Sequence, residues 1–160
     1  MSRVHHSAIV TRNVDESRRF WCEGLGFSVL MDESFDGDWP RLFGATTTRL
    51  RSLFLGASGD TESGIVELVD FGRPDDAAVG GVASRSRADD LRPPPEPGFL
   101  LLSLRANLDE VLPRLARLGL GGEPETMEVA PGVRLCVVTD PNGVLVELMD
   151  GASDPTTGSI

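Results

Sequence analysis

The sequence predicts an α+β fold of two tandem βαβββ modules forming a curved mixed sheet around a central cleft, and three repeated features predict it. A helix-start signature, Asn13-Val14-Asp15-Glu16, returns as Asn107-Leu108-Asp109-Glu110. Each is followed by a helical run that stops at glycine, first at Gly24 and Gly26 and then at Gly119. Each half closes on β-formers around one glutamate, Ile65-Val66-Glu67-Leu68-Val69-Asp70 and Leu145-Val146-Glu147-Leu148-Met149-Asp150. One half alone leaves an open sheet face, whereas two facing halves bury both and leave a cleft.

In chain order, Arg3 to Thr11 alternates loosely and predicts a strand, and Asn13 caps a helix running to about Gly24 with Phe20, Trp21 and Leu25 buried. Phe27 to Met31 resumes as a strand. The polar stretch Asp32 to Thr48 holds Trp39-Pro40-Arg41-Leu42-Phe43, one helical turn with an aromatic wedge, read as a pocket wall. Arg49 to Gly56 and Gly64 to Asp70 complete the first module, residues 1–70. Residues 71–97, rich in glycine and proline, read as a connector.

The second module, residues 98–150, opens with a strand over Gly98 to Arg105. Leu108, Val111, Leu112, Leu115 and Leu118 then lie on one face of a helix. Strands follow at Glu123 to Val129, Val133 to Val138 and Val144 to Met149, the last two joined by the turn Asp140-Pro141-Asn142-Gly143. Residues 151–160 are small and polar and read as a loose tail.

The chain has 160 residues and a formal charge of −10, a balance that argues against a nucleic-acid partner. All fifteen basic residues are arginine, so lysine Schiff-base chemistry and a lysine-bearing phosphate loop are excluded. No apolar run is long enough to span a membrane and no signal peptide opens the chain, so a cytoplasmic location is expected. Cys22 and Cys136 lack CxxC spacing and read as core thiols of a reducing compartment.

Glu67 and Glu147 are the residues that ask for chemistry. A carboxylate among aliphatics needs a cation, a proton or an arginine partner, and Arg49, Arg51, Arg105 and Arg134 lie on predicted strands. His5 reads as an ordinary surface residue.

His6-Ser7-Ala8-Ile9-Val10, Asn13 through Trp21, Leu25-Gly26-Phe27 and Asp140-Pro141-Asn142-Gly143 leading into Val146-Glu147-Leu148 together resemble the vicinal-oxygen-chelate superfamily. That superfamily includes glyoxalase I, extradiol dioxygenases, fosfomycin-resistance enzymes and bleomycin-binding proteins. The resemblance implies a divalent metal (Zn, Ni, Mn, Co or Fe) held by His6, Glu67 and Glu147. Glu67 or Glu147 would then also move a proton beside it. The position expected to hold a further ligand is leucine, Leu100 or Leu101 according to how the repeat is aligned.

A glyoxalase-like lyase or isomerase acting on a small molecule with adjacent oxygens is the first functional expectation. A metal-free binding protein of the bleomycin-resistance type is the second, and an extradiol-type dioxygenase, which typically uses two histidines and one carboxylate, is the third. Leu100, Leu101, Trp39, Phe43 and Arg51 are the expected substrate contacts, and a homodimer is the expected assembly.

Overall fold

A computed structural model describes residues 3–72 and 97–150. The first half contains β1 (His6–Val10), α1 (Val14–Arg18) continuing as a π-helical stretch (Arg19–Gly24), β2 (Ser28–Asp36), α2 (Trp39–Phe43), β3 (Arg49–Gly56) and β4 (Ile65–Asp70). The second contains β5 (Leu102–Arg105), α3 (Leu108–Leu118), β6 (Met127–Ala130), β7 (Val133–Thr139) and β8 (Leu145–Asp150). The connector expected over 71–97, apart from its end residues, and the tail at 151–160 lie outside the described residues.

Each half is a four-stranded mixed sheet, ordered β1-β4-β3-β2 and β5-β8-β7-β6. The first and last strands of a half run parallel because a helix carries the chain back between them, and the others pair antiparallel. This is the tandem βαβββ architecture the repeat predicts.

The repeated asparagines do what their position demands. Asn13 Oδ1 accepts from the backbone N–H of Asp15 and Glu16, and Asn107 Oδ1 accepts from that of Asp109. Gly119 ends α3 with φ of 70°, the left-handed conformation that glycine adopts without steric cost. Gly24 ends the first helix differently. It keeps its place because Leu115 of α3 packs where a side chain would go.

Strand lengths depart from the sequence expectations. β2 extends to Asp36 rather than stopping near Met31, since Ser34, Phe35 and Asp36 find partners in Arg51, Leu50 and Arg49 of β3. Asp36 opposite Arg49 is a favourable cross-strand pair that hydrophobic alternation does not register. β5 begins only at Leu102, so Phe99, Leu100 and Leu101 precede it. β6 begins at Met127 rather than Glu123.

The two halves share one core. Ile9, Phe20, Trp21, Leu53, Leu55, Val66 and Leu68 of the first join Leu108, Val111, Leu115, Cys136, Val138, Val146 and Leu148 of the second in a continuous buried cluster. Trp21 is fully buried and meets Phe20 and Phe27 edge to face. Because side chains alternate along a strand, burying Val66 and Leu68 turns Glu67 to the opposite face, and burying Val146 and Leu148 does the same for Glu147.

β1 and β5 are the outer strands of their sheets on the side where the halves meet. Ser7, Ala8, Ile9 and Val10 line one side of a cavity of about 450 Å³, and Phe99, Leu102, Asn142 and Val144 line the other. Asn142 closes the junction: its Oδ1 accepts from the Arg12 backbone N–H at 3.2 Å, and its Nδ2 donates to Ser17 Oγ at 3.0 Å. No helix among the described residues is long and apolar enough to cross a membrane.

Candidate functional site

The parallel β1–β4 ladder sets Ala8 directly across from Glu67. His6, two residues earlier, shares the face of Ala8, and its Nε2 comes within 3.2 Å of Glu67 Oε2. The other carboxylate oxygen, Oε1, accepts a 2.5 Å hydrogen bond from Ser52 Oγ on β3. Phe54 lies across from Glu67 in the β3–β4 ladder, and its ring sits 5.2 Å from that of His6 and 6.0 Å from that of His5. His5 Nδ1 is 2.9 Å from His6 Nδ1.

The second half repeats the carboxylate but not the histidine. Ser103 stands across from Glu147 as Ala8 stands across from Glu67, and Ser103 Oγ donates to Glu147 Oε1 at 2.7 Å. Counting back two residues from Ser103 gives Leu101, so the register settles the choice between the two leucines. Leu101 takes the place of His6, and Leu100 is one residue further out and 56% exposed.

The remaining expected contacts have partners of their own. Arg51 alternates with Ser52 and Phe54 and therefore lies on the opposite face of β3, the face of Leu53 and Leu55. It donates from Nε and NH2 to the two oxygens of Asp32, both at 2.8 Å, rather than standing beside Glu67. Arg134 does the same in the second half, donating to Asp109 and Asp150. Neither arginine neutralises a strand glutamate.

Trp39 and Phe43 stack on each other with centroids 5.8 Å apart, and Phe43 reaches Phe71. Trp39 Nε1 donates to the Phe35 carbonyl. The aromatic that touches the two histidines is Phe54, which sequence reasoning missed. The alternation of Ser52 and Phe54 on β3 carried that signal, but only with the β3–β4 register in hand.

Three aspartates are shifted by their arginine partners. Hydrogen bonds from Arg51 hold the Asp32 carboxyl below its ordinary value, and those from Arg134 do so for Asp109 and Asp150. Burial pushes the Cys136 and Cys22 thiols up. Both are free thiols with the character of packed residues rather than nucleophiles.

A borderline divalent cation takes imidazole nitrogen and carboxylate oxygen, the two donor types that converge at His6 and Glu67. The pair fits as half of a metal site. Among the described residues, no group of three or more His, Cys, Asp or Glu side chains is gathered to hold an ion, and Glu147 stands apart with Ser103.

Comparison with known proteins agrees with this geometry at the level of the fold. The family model of the Glyoxalase/Bleomycin resistance protein/Dioxygenase superfamily matches residues 3–148. A Lactoylglutathione lyase-like protein, terB of Aspergillus terreus, is 33% identical over 158 residues, covering 91% of this chain and 74% of that protein. A glyoxalase family protein from Bacillus cereus superposes with a TM-score of 0.65 at 20% identity over 96% of both chains. The fosfomycin resistance protein FosX of Listeria monocytogenes, in a complex with Mn(II) and 1S,2S-dihydroxypropylphosphonic acid, superposes with a TM-score of 0.56 at 14% identity over 98% of this chain and 96% of that one. With its repeated βαβββ halves and a match along nearly its whole length, the chain belongs to the Glyoxalase/Bleomycin resistance protein/Dioxygenase superfamily.

Proposed function

We propose that the protein is a glyoxalase-like enzyme that moves a proton on a small molecule bearing adjacent oxygens. His6, Glu67 and Glu147 are its donors to a divalent metal (Zn, Ni, Mn, Co or Fe). The observation that carries this reading is the approach of His6 Nε2 to Glu67 Oε2 at 3.2 Å on the face turned away from the core. The likeness to a lactoylglutathione lyase-like protein and the Mn(II) in the FosX complex support it.

A bound metal supplies polarisation of the substrate oxygens, which makes the neighbouring C–H more acidic. The chain's own groups do the rest. Ser52 Oγ and His6 engage the two oxygens of Glu67, which fixes its carboxylate plane. Ser103 Oγ holds Oε1 of Glu147, and among the described hydrogen bonds Oε2 is left open. Glu147 is therefore the group placed to accept a substrate proton, and Glu67 the group placed to orient.

The family resemblance supports a homodimer as the working form, in which a second copy supplies the third donor that is not gathered with His6 and Glu67 among the described residues of one chain. Two free cysteines are consistent with action in the cytoplasm.

The test is metal analysis of the purified protein beside His6→Ala and Glu147→Ala, with the assembly measured by light scattering. Stoichiometric metal in a dimer, lost in both variants, is expected. Failure to take up any of the five metals under loading overturns the reading and leaves the metal-free binding protein. Leu101 favours that second reading, since it puts an apolar side chain where the repeat would otherwise place a ligand. A dioxygenase would require iron and dioxygen uptake from a site in which Leu101 replaces the second histidine.

A further inference from the structure

We infer that His5 is a positioning residue for His6, selecting which imidazole nitrogen faces Glu67. This inference rests on the metal-site reading above for its consequence, but not for its geometry. The two rings meet through Nδ1 of each at 2.9 Å, edge to face with centroids 5.2 Å apart. Successive residues of a regular strand point to opposite faces, so adjacent side chains meet like this only because β1 begins at His6 and His5 lies before it. Both rings lie beside Phe54, their centroids 6.0 Å from it for His5 and 5.2 Å for His6.

The proton count makes the contact specific. Glu67 as a carboxylate only accepts, so a neutral His6 that bonds to it carries its proton on Nε2 and leaves Nδ1 bare. His5 must then donate from Nδ1. His6 can offer Nε2 to a cation only if that nitrogen is bare, and its single proton then sits on Nδ1 and needs an acceptor. His5 supplies one by carrying its own proton on Nε2 instead. A side chain at position 5 must therefore donate in one state and accept in the other. Imidazole and carboxamide do both, whereas an aliphatic group does neither.

The sequence offers no hint of this, because a lone histidine within the predicted strand Arg3 to Thr11 reads as an ordinary surface residue. Three variants test it: His5→Leu, His5→Gln and His6→Ala. The readouts are imidazole nitrogen chemical shifts of the metal-free protein and Mn²⁺ binding by calorimetry.

In His5→Leu, the Nδ1 and Nε2 shifts of His6 are expected to move toward a mixture of tautomers. Mn²⁺ affinity should fall by roughly 10–100-fold, the range seen when the outer partner of a ligating histidine is removed. His5→Gln is expected to restore both. Unchanged His6 shifts in His5→Leu overturn the inference, and so does an affinity loss that His5→Gln fails to rescue. If wild-type protein binds no Mn²⁺ while the shifts still respond to His5, the metal reading fails and the positioning role stands.

Discussion

Ser103 stands directly across the parallel β5–β8 ladder from Glu147 and donates a 2.7 Å hydrogen bond to it, in the place that Ala8 holds opposite Glu67. This equivalence makes Leu101 the counterpart of His6. Leu101→His should therefore add an imidazole donor and tighten Mn²⁺ binding at least ~10-fold, equal to about 1.4 kcal/mol. Calorimetric titration of the variant checks it, with Leu100→His as the control for register. Equal gains from both substitutions would sink the assignment.

Asn142 ties the β7–β8 turn to the first half through Arg12 and Ser17. Ser17 is fully buried and keeps only its bond to Thr11 Oγ1 if the amide is removed. Asn142→Ala should cost roughly 1–3 kcal/mol, the range for stranding buried polar groups. The urea midpoint reads it directly, and a change within error would show that the junction is held by apolar packing alone.

Gly24 sits where α3 crosses the first helix. A Cβ there would lie 2.5 Å from Leu115 Cδ2, and Leu115 is itself only 2% exposed. Alanine gains about 0.5–1 kcal/mol over glycine within a helix, but overpacking a filled core costs about 1–3 kcal/mol. The clash should win, and Gly24→Ala should lower the melting temperature. In a double-mutant cycle with Leu115→Ala the two losses should fail to add, because the second change makes room for the first.

Acid should weaken the fold through the arginine-held carboxylates. Asp32, Asp109 and Asp150 titrate below their ordinary value in the folded state, so at low pH the unfolded chain binds more protons. Their contribution is present above the unfolded carboxyl value of about 3.9 and is lost as pH falls through the lowered folded values. Arg134→Met removes the cause for two of them. Urea midpoints at neutral and acid pH should differ more for the wild type than for the variant, and parallel pH profiles would contradict the assignment.

Much of this architecture is legible in the residues themselves. The asparagine caps, the glycine stops and the doubled Val-Glu-Leu strands are local signals, each decided by hydrogen bonding or side-chain alternation within a few residues. They also place Glu67 and Glu147 on the face away from the core, since the valine and leucine neighbours must go inside. His6 enters as a ligand through the resemblance of its strand and the helix start after it to the vicinal-oxygen-chelate superfamily.

What tertiary structure alone decided is pairing. Whether Leu100 or Leu101 replaces the histidine depends on a parallel register, where a slip of one residue exchanges the two faces. The same holds for Arg51, which a strand assignment makes available to Glu67 but whose alternation commits it to Asp32 on the other side. Phe54 against the histidines, and His5 against His6, depend on how β3 and the chain before β1 come together. Local sequence sets which face a side chain takes, and long-range packing sets which neighbours it finds there.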